Sequence, residues 1–331
     1  MRRIVRAAPV VSALLMFAAV GVGAQTRPEQ SASGHPADSA DETPTFTSDT
    51  RLVVLHASVV NRGGKLLTDL PESAFKVYEN GGVQQIKKFL REDVPVSMGI
   101  IVDNSASMRE KRKQVETAAI DLVKSSNPQD EVFIVNFNDE SYLDVPFTND
   151  LTKMEAGLAR IDSRGGTALR DSISGSIDYV KQKGKKDKKV LLVITDGADT
   201  ASDDRDTLEK LVNKAEQSGV LIYAIGLLND EEPHERKKAK RVLDALTTAS
   251  GGSAFYPKTL PEVDPITLGV AREIRNQYVI EYSPSIQALD GSFREIKVTV
   301  NGPGRPIVRT RAGYYATPEV KKSSGLLEKK Q

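Results

Sequence analysis

Between residues 95 and 276 the chain alternates unbroken apolar runs with stretches of helical period. SMGIIV, EVFIVNF, KVLLVIT and VLIYAIGL have the length of strands and lack polar alternation. RKQVETAAIDLVKSS, ALRDSISGSIDYVKQK, DTLEKLVNKAEQSG and ERKKAKRVLDALTTASGG space their apolar residues three and four apart, as an amphipathic helix requires. Strands that are apolar on both sides are buried on both faces, which points to a parallel sheet covered by helices. The pattern predicts a doubly wound, mostly parallel α/β unit over 95–276, its last helix at about Ile266–Asn276.

The flanks follow a different rule. In 51–94, LVVLHASVV alternates loosely and FKVYENGGVQQIKKF reads as two strands around Asn80-Gly81-Gly82. In 277–316, QYVIEYSPS, SFREIKVTV and IVRTRAGYY repeat that texture. Each β segment is too short to bury a core alone, so the two together predict one small β-sandwich built from both flanks.

The termini carry no fold signal. MRRIVRAA is a basic start, PVVSALLMFAAVGV is an apolar run of 14 residues, and Val22-Gly23-Ala24 offers small residues for cleavage. That run is shorter than the roughly 20 residues a bilayer span needs, so 1–24 reads as a secretory signal cleaved after Ala24. No membrane span is expected after cleavage. Residues 25–50 are polar and rich in Ser, Pro, Asp and Ala and read as a disordered linker, and 317–331 as a disordered tail.

Charge and composition narrow the function. With 46 Lys and Arg against 45 Asp and Glu, the formal charge is +1, which argues against a protein devoted to capturing nucleic acid. There are no cysteines, so disulfides, thiolate zinc and a lipid-bearing cysteine are excluded. His35, His56 and His234 are far apart in sequence.

In doubly wound sheets ligands bind outside the carboxyl ends of the strands. There the chain places Asp103, Ser105 and Ser107 after the first central strand, Thr167 after Gly165-Gly166, and Asp196 after KVLLVIT. Two carboxylates and three hydroxyls form an all-oxygen set suited to Mg²⁺, Mn²⁺ or Ca²⁺ and poor for Zn²⁺ or Cu²⁺. Neutral hydroxyls leave a divalent cation under-neutralised, with a position open to an Asp or Glu of another protein. Simpler roles compete: the serines as helix caps and Asp196 as an acceptor for loop amides. A phosphoryl-accepting Asp103 is a further alternative, though Ser105 stands where such enzymes need a second acid; as a nucleophile, Ser105 in turn lacks a histidine in a context to act as its base. The acidic run 199–206 lacks the spacing of an EF-hand and reads as a solvated loop, with Asp199 close enough to the site to tune its charge. The basic runs KQKGKKDKK and HERKKAKR read as solvated faces, with polyanion binding as the sharper alternative.

Asp103-x-Ser105-x-Ser107, with Thr167 and Asp196 in later loops in that order, resembles the metal-ion-dependent adhesion site of von Willebrand factor type A domains. Integrin inserted domains share it, and the flanking β segments resemble secreted bacterial proteins of this kind. No motif position departs from the pattern. The resemblance implies that the serines and threonine bind the metal directly and the aspartates often through water. It further implies an exported, non-enzymatic binding module whose cation, Mg²⁺ first, takes an acidic residue of a protein partner, with the sandwich as a spacer. An envelope-assembly protein with a fold-stabilising metal, or a metal-dependent phosphohydrolase, would be the rival readings.

Overall fold

The computed structural model describes residues 51–91, 93–159, 163–203 and 207–318. The signal (1–24), the linker (25–50) and the tail beyond 318 lie outside the described residues. The chain opens with β1 (Val53–Val60), β2 (Phe75–Glu79), β3 (Gly82–Gln84) and β4 (Ile86–Arg91). The α/β unit follows as β5 (Val96–Asp103), α1 (Arg112–Ser125), β6 (Glu131–Phe137), β7 (Ser141–Thr148), α2 (Leu151–Leu158), α3 (Leu169–Lys183) and β8 (Lys188–Thr195). It closes with α4 (Leu208–Ser218), β9 (Leu221–Gly226), α5 (Pro233–Ser250), β10 (Ala254–Phe255) and α6 (Val263–Arg275). Then come β11 (Tyr278–Tyr282), β12 (Phe293–Val300), β13 (Ile307–Arg309) and β14 (Gly313–Tyr315).

The central sheet has the order β10-β9-β8-β5-β6-β7. All neighbours pair in parallel except β7, which returns antiparallel to β6 at the edge. Alternate residues of each strand feed opposite faces. Met98, Ile100 and Val102 meet α1 and α6 through Val115, Leu122, Val270 and Ile274. On the other face Ile101, Phe133 and Leu191 meet α3 and α5 through Ile173, Ile177 and Leu243. From β5 the chain steps to β6 on one side and later to β8 on the other, so the strand order reverses at β5. A crevice therefore opens beyond the carboxyl end of β5, where no crossover fills the space.

The flanks supply two four-stranded sheets, β13-β1-β11-β4 and β14-β12-β2-β3. In the first, strands from before and after the α/β unit alternate; in the second, β14 and β12 from after it lie beside β2 and β3 from before it. β1 pairs antiparallel with β11, and β2 with β12. Val53, Leu55 and Ala57 of β1 share a core with Val77, Ile280, Ile296 and Tyr314. Asn80 and Gly81 both have positive φ, 47° and 79°, which makes the two-residue hairpin that joins β2 to β3. The second half of the predicted hairpin departs from expectation. Ile86–Arg91 leaves that sheet and pairs with β11 in the other, so one apparent strand serves both layers.

Gly99 lies in β5 between Phe133 of β6 and Leu191 of β8, whose side chains close over it. A methyl group there would stand 2.7 Å from Leu191 Cδ2 and overlap the Phe133 ring. Overfilling of this kind costs about 1–3 kcal/mol. Gly99→Ala is expected to lower the urea midpoint accordingly, and a midpoint equal to wild type would show that the sheet yields at this point.

Candidate functional site

β5 delivers Asp103 to the crevice with no exposed surface. Its Oδ1 accepts the Ser105 backbone N–H at 2.8 Å, and its Oδ2 accepts the hydroxyl of Thr195, the last residue of β8, at 2.6 Å. The first bond bends the chain sharply after the strand. The Ser105 and Ser107 hydroxyls then lie 3.1 Å apart, and Ser107 Oγ donates to Asp196 Oδ1 at 2.8 Å. Four of the five residues singled out by sequence are thus joined in one hydrogen-bonded chain. Ser107 is exposed, whereas Ser105 and Asp196 are buried.

Thr167 reaches the crevice on a separate loop tied to the first by backbone bonds. Ala106 N–H donates to Gly165 O at 3.4 Å, and Arg164 N–H to Asn104 O at 3.2 Å. Gly165 has φ 72°, and a side chain there would collide with the Asp139 carboxylate. Asp139 Oδ1 accepts the Gly166 N–H at 2.7 Å. A third loop meets the second where Thr167 N–H donates to Thr200 Oγ1 at 2.9 Å and Thr167 O accepts from Thr200 N–H at 3.0 Å. The backbone of Thr167, rather than its hydroxyl, makes these bonds.

The simpler roles do not describe what these side chains do. Neither Ser105 nor Ser107 caps a helix: the short turn at Ala106–Met108 and α1 both begin without a side-chain cap. Asp196 accepts from Ser107 and Lys111 rather than from loop amides. Asp199 is turned to the start of α3, where it accepts the Arg170 N–H at 2.7 Å and the Ser202 hydroxyl at 2.6 Å.

Three contributors escaped the sequence reading. Thr195 orients Asp103, and Asp139 holds the glycine loop. Lys111 Nζ lies 2.8 Å from Asp196 Oδ2 and 3.0 Å from Asp230 Oδ2. Thr195 was findable, since it ends the same strand that precedes Asp196. Lys111 and Asp139 had no signal beyond being polar residues near a turn.

Charge at the site is unevenly settled. Burial pushes the Asp103 carboxyl up to about 6, opposed by its bonds from Thr195 and Ser105, with the nearby Asp196 raising it further. Burial works to lower Lys111, but its bonds to Asp196 and Asp230 prevail and hold it above the ordinary lysine range. Among the described residues no three His, Asp or Glu side chains cluster as a metal cage. A cation held here would rely on hydroxyls beside two carboxylates.

The central unit is thus a doubly wound α/β domain with oxygen-bearing loops gathered at its switch point. Residues 98–198, within the central unit, match the family model described as the von Willebrand factor type A domain. Over 220 residues the chain is 26% identical to the Escherichia coli (strain K12) protein YfbK, described as uncharacterized. The match covers 59% of this chain and 35% of YfbK, so the chain spans about a third of the length of that curated relative. Among solved structures it is similar to a von Willebrand factor type A protein from Catenulispora acidiphila at 14% identity and TM-score 0.49, covering 81% and 75% of the two chains. It is also similar to proximal thread matrix protein 1 of the mussel byssus, solved with a zinc-occupied MIDAS motif, at 15% identity and TM-score 0.46, covering 58% and 48%.

The raised Asp103 group has a stability consequence. Its folded value near 6 exceeds the unfolded value of 3.8, so ionising it in the fold costs free energy. The cost is present above about pH 6 and disappears as the pH falls toward 4. Its upper size is about 3 kcal/mol. Metal-free Asp103→Asn is therefore expected to be more stable than wild type at pH 7.5, with the gap closing by pH 4. Urea melts in chelator at both pH values check this, and an equal gap at the two would overturn it.

Proposed function

We propose that this chain is an exported binding module in which Asp103, Ser105, Ser107, Thr167 and Asp196 hold a divalent cation, Mg²⁺ in the first place. The cation would supply a Lewis-acidic centre for an Asp or Glu carboxylate of a protein partner. The observation that carries this reading is the gathering of Asp103, Ser105, Ser107 and Asp196 at the sheet's switch point, Asp103 tied through the Ser105 N–H and the other three through their side-chain oxygens. Hydroxyls and carboxylates without imidazole or thiolate fit a hard cation.

The residues divide the work. Asp103 is held by Thr195 and the Ser105 amide, so its carboxylate is already oriented when a cation arrives. Ser107 is the exposed member and faces the side from which a partner would approach. Lys111 keeps Asp196 charge-balanced, and an incoming cation must share that carboxylate with the ammonium. Asp103, Asp196 and Asp230 together balance a divalent cation and Lys111, so a loaded site carries no excess negative charge to repel an anionic ligand. The serine hydroxyls bond each other and Asp196 rather than a histidine, which supports binding over nucleophilic catalysis. Export rests on the sequence of residues 1–24. No helix of the described residues is long and apolar enough to cross a membrane.

Titration calorimetry of chelator-stripped protein with Mg²⁺ and Mn²⁺ tests the site. Saturable binding at pH 7.5 is expected, lost in Asp103→Ala and weakened about tenfold or more in Ser107→Ala. Protons compete for Asp103 below about pH 6, so affinity should fall from pH 7.5 to 5.5. Heat of binding that persists in Asp103→Ala would place the cation elsewhere.

A further inference from the structure

The opposite end of the α/β unit carries a second site of different chemistry. A groove of about 820 Å³ runs between the start of β8 and the face of β1 and β11 turned away from the sandwich core. A second groove of about 1050 Å³ adjoins it and shares Val54, Lys181, Lys189 and Ser218. The walls are strongly basic. Lys181 leaves the last turn of α3, Lys185 and Lys186 follow on the loop to β8, and Arg51 and Arg311 line the far stretch. The lining carboxylates are Asp187 and Glu281, and Glu281 is already paired with Lys88 at 3.3 Å.

A solvated lysine face is the ordinary explanation of a basic run, and three observations go beyond it. The dipole of α3 accounts for cations in its last turn but not for those brought in by the loop and by the sandwich strands. Neither Lys181, Lys185, Lys186, Arg51 nor Arg311 has a carboxylate partner among the described residues. Finally, the Arg51 and Arg311 guanidinium groups sit 5.0 and 5.5 Å from the centre of the same Tyr314 ring. They repel one another there, which burdens Arg311 along with its burial, and Arg311 Nε is buried without a hydrogen-bond partner. In a chain whose charges otherwise nearly cancel, unpaired cations gathered from three elements along a groove focus a positive field where an anion would lie.

We propose that this groove binds a linear anionic glycan, with its sulfate, phosphate or carboxylate groups spaced along the lysines and the arginine pair. The shape favours an extended chain over a membrane, because the arginines and Lys186 are recessed rather than spread on a flat face. A nucleic acid would seek aromatic faces for its bases; Tyr314 is covered by the two arginines with its hydroxyl bonded to Glu79, and Tyr315 is engaged edge-on with Phe293. The groove opens beside Pro95 and Lys188, and the proposed metal site lies past Asp103 and Thr195. Eight-residue strands put the two about 25 Å apart. One end of the domain would rest on a surface polymer while the other presents the metal site. The glycan site stands independently of the metal.

The test is binding of the full chain to dextran sulfate across a salt series, with and without chelator. Affinity should fall steeply with salt through counterion release and be indifferent to chelator. Lys181→Glu/Lys185→Glu should lower it about tenfold and make the salt dependence shallower. Lys237→Glu/Arg241→Glu, which changes the exposed basic run of α5 equally, should leave it within about twofold. Circular dichroism of the variants confirms that each is folded. Equal loss in both double variants, loss in chelator, or tighter binding to single-stranded DNA or to phosphatidylglycerol vesicles would each overturn the assignment.

Discussion

A carboxylate withdrawn from water organises the carboxyl edge of the central sheet. Asp103 has no exposed surface, and a buried charge must be met by hydrogen bonds or it becomes neutral. Here one oxygen takes a loop amide and the other a hydroxyl from the neighbouring strand. The amide bond sets the turn that carries Ser105 and Ser107, and through Ser107 the turn reaches Asp196 on the next loop. The hydroxyl bond ties the ends of β5 and β8. These two bonds reduce the cost of burial without removing it, since the group still lies well above its ordinary value. The fold's own cations nearby are engaged elsewhere: Lys111 is bonded to Asp196 and Asp230, and the buried Arg112 donates to Asn136 and the Leu158 carbonyl.

Some of this architecture could be read before any coordinates. β5, β6, β8 and β9 are apolar without a break because both faces are covered, and burial of that kind writes itself into composition. β7 was missed for the converse reason. It is an edge strand, its residues are largely exposed, it contains Pro146, and its register with β6 slips twice. The passage of Ile86–Arg91 from one sheet to the other was equally hidden, because the local pattern of a hairpin does not say which sheet its second strand joins. Of the candidate site, the five residues at strand ends were legible as types and positions. Their mutual bonds were not, and neither was Lys111. A lysine at the start of a helix looks the same in sequence whether it faces solvent or a carboxylate 85 positions away.

The sandwich is joined to the α/β unit by buried polar contacts that constrain α6. Glu273, near the end of that helix, accepts the Tyr223 hydroxyl at 3.2 Å and pairs with Arg309 of β13 at 3.6 Å. Gln277, just before β11, donates to Ser58 of β1 at 3.0 Å and to the Tyr223 hydroxyl at 3.2 Å. All of Tyr223, Glu273 and Gln277 are buried. Sliding α6 by a single residue would carry Glu273 and Gln277 off their partners together. Each polar group stranded in that way costs about 1–3 kcal/mol. Only Asn276 and Gln277 separate the helix from β11, a connection too short to absorb much displacement. Because α6 packs on α1, which follows the Asp103 loop, a shift at the carboxyl edge can pass down α6 only by moving β1, β11 and β13 with it. The sandwich therefore acts as a brace on α6, the helix that leads from the α/β unit into β11.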